Sequence, residues 1–210
     1  MNRKILIVTL ILMMVLCASG CSKKKETVKP VDGVLTKDNI TNLQKGKHHA
    51  EIEVMDYGTI KVELDADKAP VSVTNFINLA KDKFYDGLTF HRIIKGFVIQ
   101  GGDPDGNGTG GSDNPIIGEF KNNGIDNDLS HKRGALSMAR TGNDNNSATS
   151  QFFIVHKEAP HLNGDYAVFG YVTEGMDIVD SICEKVKVQD GNGTVEPEEQ
   201  PTIKSIKILD

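Results

Sequence analysis

Phe90-His91-Arg92-Ile93-Ile94-Lys95-Gly96-Phe97-Val98-Ile99-Gln100-Gly101-Gly102-Asp103-Pro104 is the most informative stretch of this 210-residue chain. Short apolar runs, 89–94 and 97–100, lie on either side of Lys95-Gly96 and read as two short strands. Arg92 stands inside the first run, beside Ile93, Ile94 and Phe97. An idle, unpaired arginine is costly in such surroundings, so Arg92 is the first candidate for chemistry.

Outward from this stretch the patterns are those of a turn-rich β protein. Upstream, apolar residues alternate at Ala50, Ile52, Val54 and again at Ile60, Val62, Leu64, with Asp56-Tyr57-Gly58 between them, which predicts a hairpin with one buried face. Pro70 opens a stretch in which Val73, Phe76, Ile77 and Ala80 share one helical face, with Asp86-Gly87 expected to end it. A second helix is predicted where Met176, Val179, Ile182 and Cys183 recur on one face, and core packing is the expected use of Cys183. Further apolar runs at 135–138, 152–155, 168–172 and 203–209 complete a set of short strands separated by Gly and Asn turns, as in a closed barrel or a sandwich.

Several strings carry less than they suggest. Gly106-x-Gly108-x-x-Gly111 matches a dinucleotide fingerprint, but Ser112-Asp113-Asn114-Pro115 follows where a helix should begin, so it reads as a loop. Asp103-x-Asp105-x-Asn107-Gly108 starts like a calcium loop, yet Asn114 occupies the position of the bidentate Glu. The six histidines show no HExxH spacing, there is no GxSxG, and Cys183 has no activating partner in sequence. No metal and no cofactor are expected.

The N-terminus is of another kind. Arg3 and Lys4 precede an apolar run at 5–16, shorter than the roughly 20 residues needed to span a bilayer and suited to a signal segment. Ala18-Ser19-Gly20-Cys21 resembles the bacterial lipobox, which implies a signal peptide at 1–20, a diacylglyceryl group on the Cys21 thiol, and a lipid anchor on the extracytoplasmic face of the cell membrane. Ordinary secretory cleavage leaving Cys21 free is the alternative. The polar segment 21–47, with Lys23-Lys24-Lys25, reads as a tether, and 48–210 as the folded domain. Formal charge is −5, and loss of Arg3 and Lys4 makes the mature chain two units more negative, so nothing favours nucleic acid. With Cys17 in the signal and Cys21 lipidated, one cysteine remains and no disulfide framework exists.

The block at 90–104 is followed by GALSMAR (134–140), SQFFIVH (150–156) and HLNGDYAVFG (161–170). In this order and spacing the four resemble the cyclophilin family, over about His49 to Leu209, and 138–141 with 146–154 resemble its bacterial branch. The resemblance implies a mostly β fold, a closed eight-stranded antiparallel barrel capped by two helices, and peptidyl-prolyl cis/trans isomerase activity on proline-containing secreted or surface polypeptides. It assigns Arg92 as the catalytic arginine and Gln100 as its orienting partner. Phe97, Val98, Phe153 and Leu162 become the pocket for the proline ring; Ala139, Arg140 and Gln151 become the wall for the substrate backbone. His161, Tyr166 and Val98 stand where eukaryotic members carry Trp, His and Met, and Arg140 where they carry an Asn that acts mainly through its backbone. These departures bear on drug affinity and substrate preference. A monomer is expected. A proline-binding adhesion or chaperone module is the competing function; a two-lobed transport receptor is disfavoured because the chain is short and lacks a second domain.

Overall fold

The computed structural model describes residues 33–210. Cys21 and the signal segment lie outside them. Strands β1 (Lys47–Val54) and β2 (Gly58–Asp65) form the expected hairpin, registering Ile52 against Ile60 and Ala50 against Val62. Helix α1 (Pro70–Lys81) follows. Then come β3 (Arg92–Ile94), β4 (Val98–Gly101), β5 (Ala135–Met138), β6 (Phe152–Val155), β7 (Val168–Glu174), α2 (Met176–Lys185) and β8 (Ile203–Ile208). The strands make one antiparallel sheet in the order β3-β4-β6-β5-β7-β2-β1-β8.

The sheet curls, but its two end strands do not pair as a ladder. β3 is three residues long, and its outer edge is occupied by the loop after α2: Ile93 donates its N–H to Gly193 O at 2.8 Å, and Val195 donates to His91 O at 3.1 Å. The seam falls instead between the residues preceding β3 and the segment leading into the first residue of β8. Phe90 N–H donates to Pro201 O (2.9 Å), Ile203 N–H to Leu88 O (2.7 Å) and Gly87 N–H to Ile203 O (2.8 Å). The expected eight-stranded closure is thus a curled sheet with a seam of isolated bridges. The reason is local: an edge already paired with a loop has no groups left for a strand.

The concave interior is filled by aromatic rings. Phe76 of α1 meets Phe152 edge-on at 5.5 Å, Tyr85 at 5.3 Å and Phe169 at 5.3 Å. The Tyr85 hydroxyl donates to Ser150 O at 3.1 Å, so the ring is buried without an orphaned polar atom. Cys183 packs into the same core, and burial pushes its thiol up to about 11.

Helix α1 ends at Lys81, before the predicted Asp86-Gly87 stop, and its first turn carries no capping side chain of its own. Buried Glu119 supplies the cap, accepting the N–H of Val71 (2.9 Å), the N–H of Ser72 (2.8 Å) and the Ser72 hydroxyl (2.7 Å). Burial raises the Glu119 pKa, and these three hydrogen bonds act in the opposite direction.

The segment read as a tether up to Lys47 is packed on the domain well before that point. Leu35 donates to Pro115 O (2.7 Å) and accepts from Ile117 N–H (2.9 Å), and Leu35 and Ile40 rest on the core. Asn78 of α1 donates to Thr41 O at 3.2 Å. The folded body therefore begins near Leu35: Leu35, Ile40 and one short bridge anchor a segment of mostly polar composition.

Candidate active site

Arg92 and Gln100 face each other across the β3/β4 hairpin, closed by a turn with Gly96 at φ 86°. Arg92 Nη1 donates to Gln100 Oε1 at 3.2 Å, and Arg92 Nε donates to Asn192 O at 2.9 Å. Gln100 Nε2 in turn donates to Gln151 Oε1 (2.8 Å), and Gln151 Nε2 to Gly110 O (2.8 Å). A chain of side-chain amides thus fixes the plane of the guanidinium. Gly101 is required here by close approach, since a Cβ would stand 2.5 Å from Thr89 O. Arg92 is half-buried, and burial lowers its pKa, with Tyr166 and Asp190 acting in the opposite sense. Its guanidinium lies 6.0 Å from the centre of the Phe97 ring.

Beside it opens a cavity of about 230 Å³ lined by Arg92, Phe97, Val98, Gln100, Ala139, Arg140, Phe153, Leu162 and Tyr166. Nine residues nominated from the sequence meet in one place, although they come from four separate stretches. Gln151 is outside this lining and borders a second, polar cavity of about 430 Å³ that shares Gln100, Ala139 and Arg140. His161 also stands outside, with its ring stacked on Phe97 at 5.5 Å and an interplanar angle of 24°. It buttresses the rim rather than forming the floor.

A cavity with apolar side chains on one side and the fixed Arg92 and Arg140 guanidinium groups on the other suits a small ring attached to a polar backbone. Residues 49–208 match the profile described as Cyclophilin type peptidyl-prolyl cis-trans isomerase/CLD. The chain belongs to the cyclophilin family. Peptidyl-prolyl cis-trans isomerase B of Bacillus subtilis is 52% identical over 122 residues, 58% of this chain and 81% of that protein. A peptidyl-prolyl cis-trans isomerase of Helicobacter pylori is 47% identical over 127 residues, 60% of this chain and 74% of that one. Among solved structures, a cyclophilin type isomerase of Cryptosporidium parvum superposes with TM-score 0.69 at 32% identity, covering 78% of this chain and 98% of that one. The same protein in the presence of the dipeptide Ala-Pro gives TM-score 0.68 at 32% identity, covering 77% and 99%. The chain is a cyclophilin-type peptidyl-prolyl cis-trans isomerase.

Around this cyclophilin groove the structure adds residues that sequence reasoning did not single out. His131 is buried beneath the cavity, its ring stacked on Phe153 at 5.9 Å and edge-on to Tyr166 at 6.4 Å. Its Nδ1 meets Asn163 Oδ1 at 2.9 Å and its Nε2 meets the Ser137 hydroxyl at 3.1 Å, while burial lowers its pKa. His131 therefore packs against Phe153 and Tyr166 with both ring nitrogens engaged. Asn192 offers its backbone oxygen to Arg92, and Phe120 packs on Arg140. No local signal marks any of these, because each acts through a contact with a distant stretch.

The loop reading of 106–111 holds, since no helix follows it. The Asp103 carboxylate accepts backbone N–H groups of Asp105, Asn107 and Gly108, so it organises its own loop. Among the described residues no helix is long and apolar enough to cross a membrane.

Proposed function

We propose that this isomerase accelerates X-Pro isomerisation in polypeptides folding outside the cell membrane, by stabilising the twisted amide with Arg92 while the neighbouring cavity holds the proline ring. One observation carries the proposal: the Arg92 guanidinium, tied by Gln100 and Asn192, stands at the wall of a cavity of about 230 Å³ whose apolar side is formed by Phe97, Val98, Phe153 and Leu162.

Amide resonance gives the peptide bond a rotation barrier of roughly 18–20 kcal/mol, and X-Pro bonds interconvert unaided in tens of seconds or more. In the twisted transition state the prolyl nitrogen regains a lone pair. A donor beside it then forms a hydrogen bond that the planar ground state accepts poorly, which is differential binding of the transition state. Arg92 spends Nε and one hydrogen of Nη1 on Asn192 and Gln100, and its remaining donors are available to that nitrogen. Phe97, Val98, Phe153 and Leu162 hold the ring, while Ala139, Arg140 and Gln151 hold the backbone around it; Tyr166 closes the side of the pocket and His161 the rim. No nucleophile, metal or cofactor takes part in this scheme.

The test is Arg92→Ala in the purified domain. kcat/KM on an X-Pro peptide should fall by about 10²–10³, equivalent to roughly 2.7–4 kcal/mol, with the loss mainly in kcat and an unchanged Tm. Arg92→Lys should restore little, because an ammonium lacks the planar fork that Gln100 holds. A near wild-type rate in a folded Arg92→Ala domain would falsify the scheme. The extracytoplasmic setting rests on the lipobox-like Ala18-Ser19-Gly20-Cys21, with the anchor on Cys21. In cells, Cys21→Ala should move the protein out of the membrane fraction, since acyl chains contribute about 0.8 kcal/mol per buried CH₂. Full retention in the membrane would remove that part of the proposal.

A further inference from the structure

We infer that the groove selects proline substrates bearing a carboxylate side chain close to the proline, with Arg140 as the cation that recognises it. The inference rests on the isomerase reading above and adds a substrate class to it.

Three arginines lie among the described residues. Arg133 is neutralised by Asp180, with both carboxylate oxygens at 2.8 and 2.7 Å from its Nη2. Arg92 and Arg140 have no carboxylate partner among the described residues, and both border the proline cavity. The chain carries a formal charge of −5, so carboxylates are plentiful, yet the groove keeps two cations clear of them.

Arg140 is held without being neutralised. Its Nε donates to Asp165 O at 2.8 Å and its Nη1 to Thr141 O at 2.8 Å. The guanidinium carbon sits 4.7 Å from the centre of the Tyr166 ring and 5.3 Å from that of Phe120. Carbonyl oxygens and ring faces fix the plane of the group but supply no counter-charge. Nη2 and the second hydrogen of Nη1 remain, and that edge is the one that takes a carboxylate in paired fashion.

The neighbouring cavity of about 430 Å³ suits the same ligand. Besides Arg140 its lining includes Thr109, Ser112, Thr141, Ser147 and Thr149, and no Asp or Glu. Two acids near that wall have their carboxylates held by hydrogen bonds. Asp103 accepts three backbone N–H groups and stands with Asp105 at Gly110 without lining the cavity, and the Asp165 carboxylate accepts from Asn122 at 2.8 Å. An acidic side chain entering beside the proline would therefore meet the unspent Arg140 donors in a cavity whose lining contains no Asp or Glu.

The experiment measures kcat/KM for X-Pro peptides that differ only by Glu against Gln, scanned through the two positions on each side of the proline. At one or more positions the Glu peptide should exceed its Gln counterpart by about tenfold at low salt, the scale of one charge-assisted hydrogen bond at a partly exposed site. The ratio should shrink as ionic strength rises. It should fall to near one in Arg140→Gln and in Arg140→Met, the latter keeping a long stem between the two rings should the first variant fold poorly. A ratio near one at every position, or a ratio that survives both substitutions, overturns the inference while leaving the isomerase reading intact. Failure to turn over even the Gln peptides would instead defeat the isomerase reading.

Discussion

Strand β6 reads Phe152-Phe153-Ile154-Val155, and its two faces end in different places. Phe152 and Ile154 point into the curled sheet, where Phe152 meets Phe76, Tyr85 and Phe90 edge-on at 5.5, 5.7 and 6.1 Å. Phe153 and Val155 point outward into a smaller cluster with Val98, Ala135, Ala159 and Val168. Both faces are buried and built from the same residue types. The inner one is covered by α1 and has only apolar or hydrogen-bonded neighbours. The outer one is finished by Phe97, Ala139, Leu162 and Tyr166, which stay partly exposed around the 230 Å³ cavity. Period-two patterning thus makes core on one side and the wall of an open cavity on the other, and what separates them is whether the chain supplies a cover.

The comparison can be broken most sharply at β6 itself. Phe152→Ala should cost about 3–5 kcal/mol, because it opens an enclosed void among rings that cannot collapse. Phe153→Ala, one residue away, should cost clearly less, since its neighbours already face an open cavity, and should instead raise KM for proline peptides. Urea unfolding and peptide kinetics on the two variants decide the matter; equal stability losses would mean that the outer cluster is ordinary core. Next in size is Glu119→Leu, which tests the cover. It leaves the Val71 and Ser72 amides of α1 without their acceptor and should lower stability by about 1–3 kcal/mol with kcat/KM unchanged. A change in kcat/KM without one in Tm would show that α1 acts on the groove rather than on the core.

Smaller effects are expected at the rim. His161→Ala removes a ring stacked on Phe97, a contact of about 0.5–1.5 kcal/mol, so KM should rise by roughly twofold to tenfold while kcat and Tm hold. A loss of Tm would place His161 in the fold instead. The most gradual effect is with pH. His91 and His131 are buried, and burial lowers both pKa values from 6.5. The unfolded chain then binds more protons than the native one below that value, so stability should decline as pH falls below about 6.5. Among the described residues neither ring nitrogen of His91 has a hydrogen-bond partner, so His91→Phe should flatten part of that slope and leave the domain as stable or more so at neutral pH. An unaltered slope in His91→Phe would assign the whole effect to His131 and the remaining groups.

Much of this was legible in the sequence wherever a local period carried it. Alternation placed β1 and β2, β5 and β6 appeared at their full lengths, and the face of α2 carrying Val179, Ile182 and Cys183 is buried. Arg92 could be singled out because a cation in an apolar strand is anomalous by itself. Arg140 stands where eukaryotic members carry an Asn that acts mainly through its backbone, and the contacts of its guanidinium with the Phe120 and Tyr166 rings leave no mark in the local sequence. The segment from Leu35 reads as linker because Leu35, Ile40 and Leu43 make no periodic pattern.

The amino-acid sequence by itself determined which faces would be apolar, since helix and strand repeats are properties of neighbouring residues. Tertiary structure alone decided which apolar face would be sealed and which polar groups would be held, because those partners arrive from afar. Glu119 caps α1 from 48 positions downstream, Gln151 steadies Gln100 across 51, and Asp165 offers its carbonyl to Arg140 across 25. Hydrogen bonds over such separations leave no repeat in the chain. They exist only once the sheet has curled and brought the loops to one side, which is where this isomerase keeps its groove.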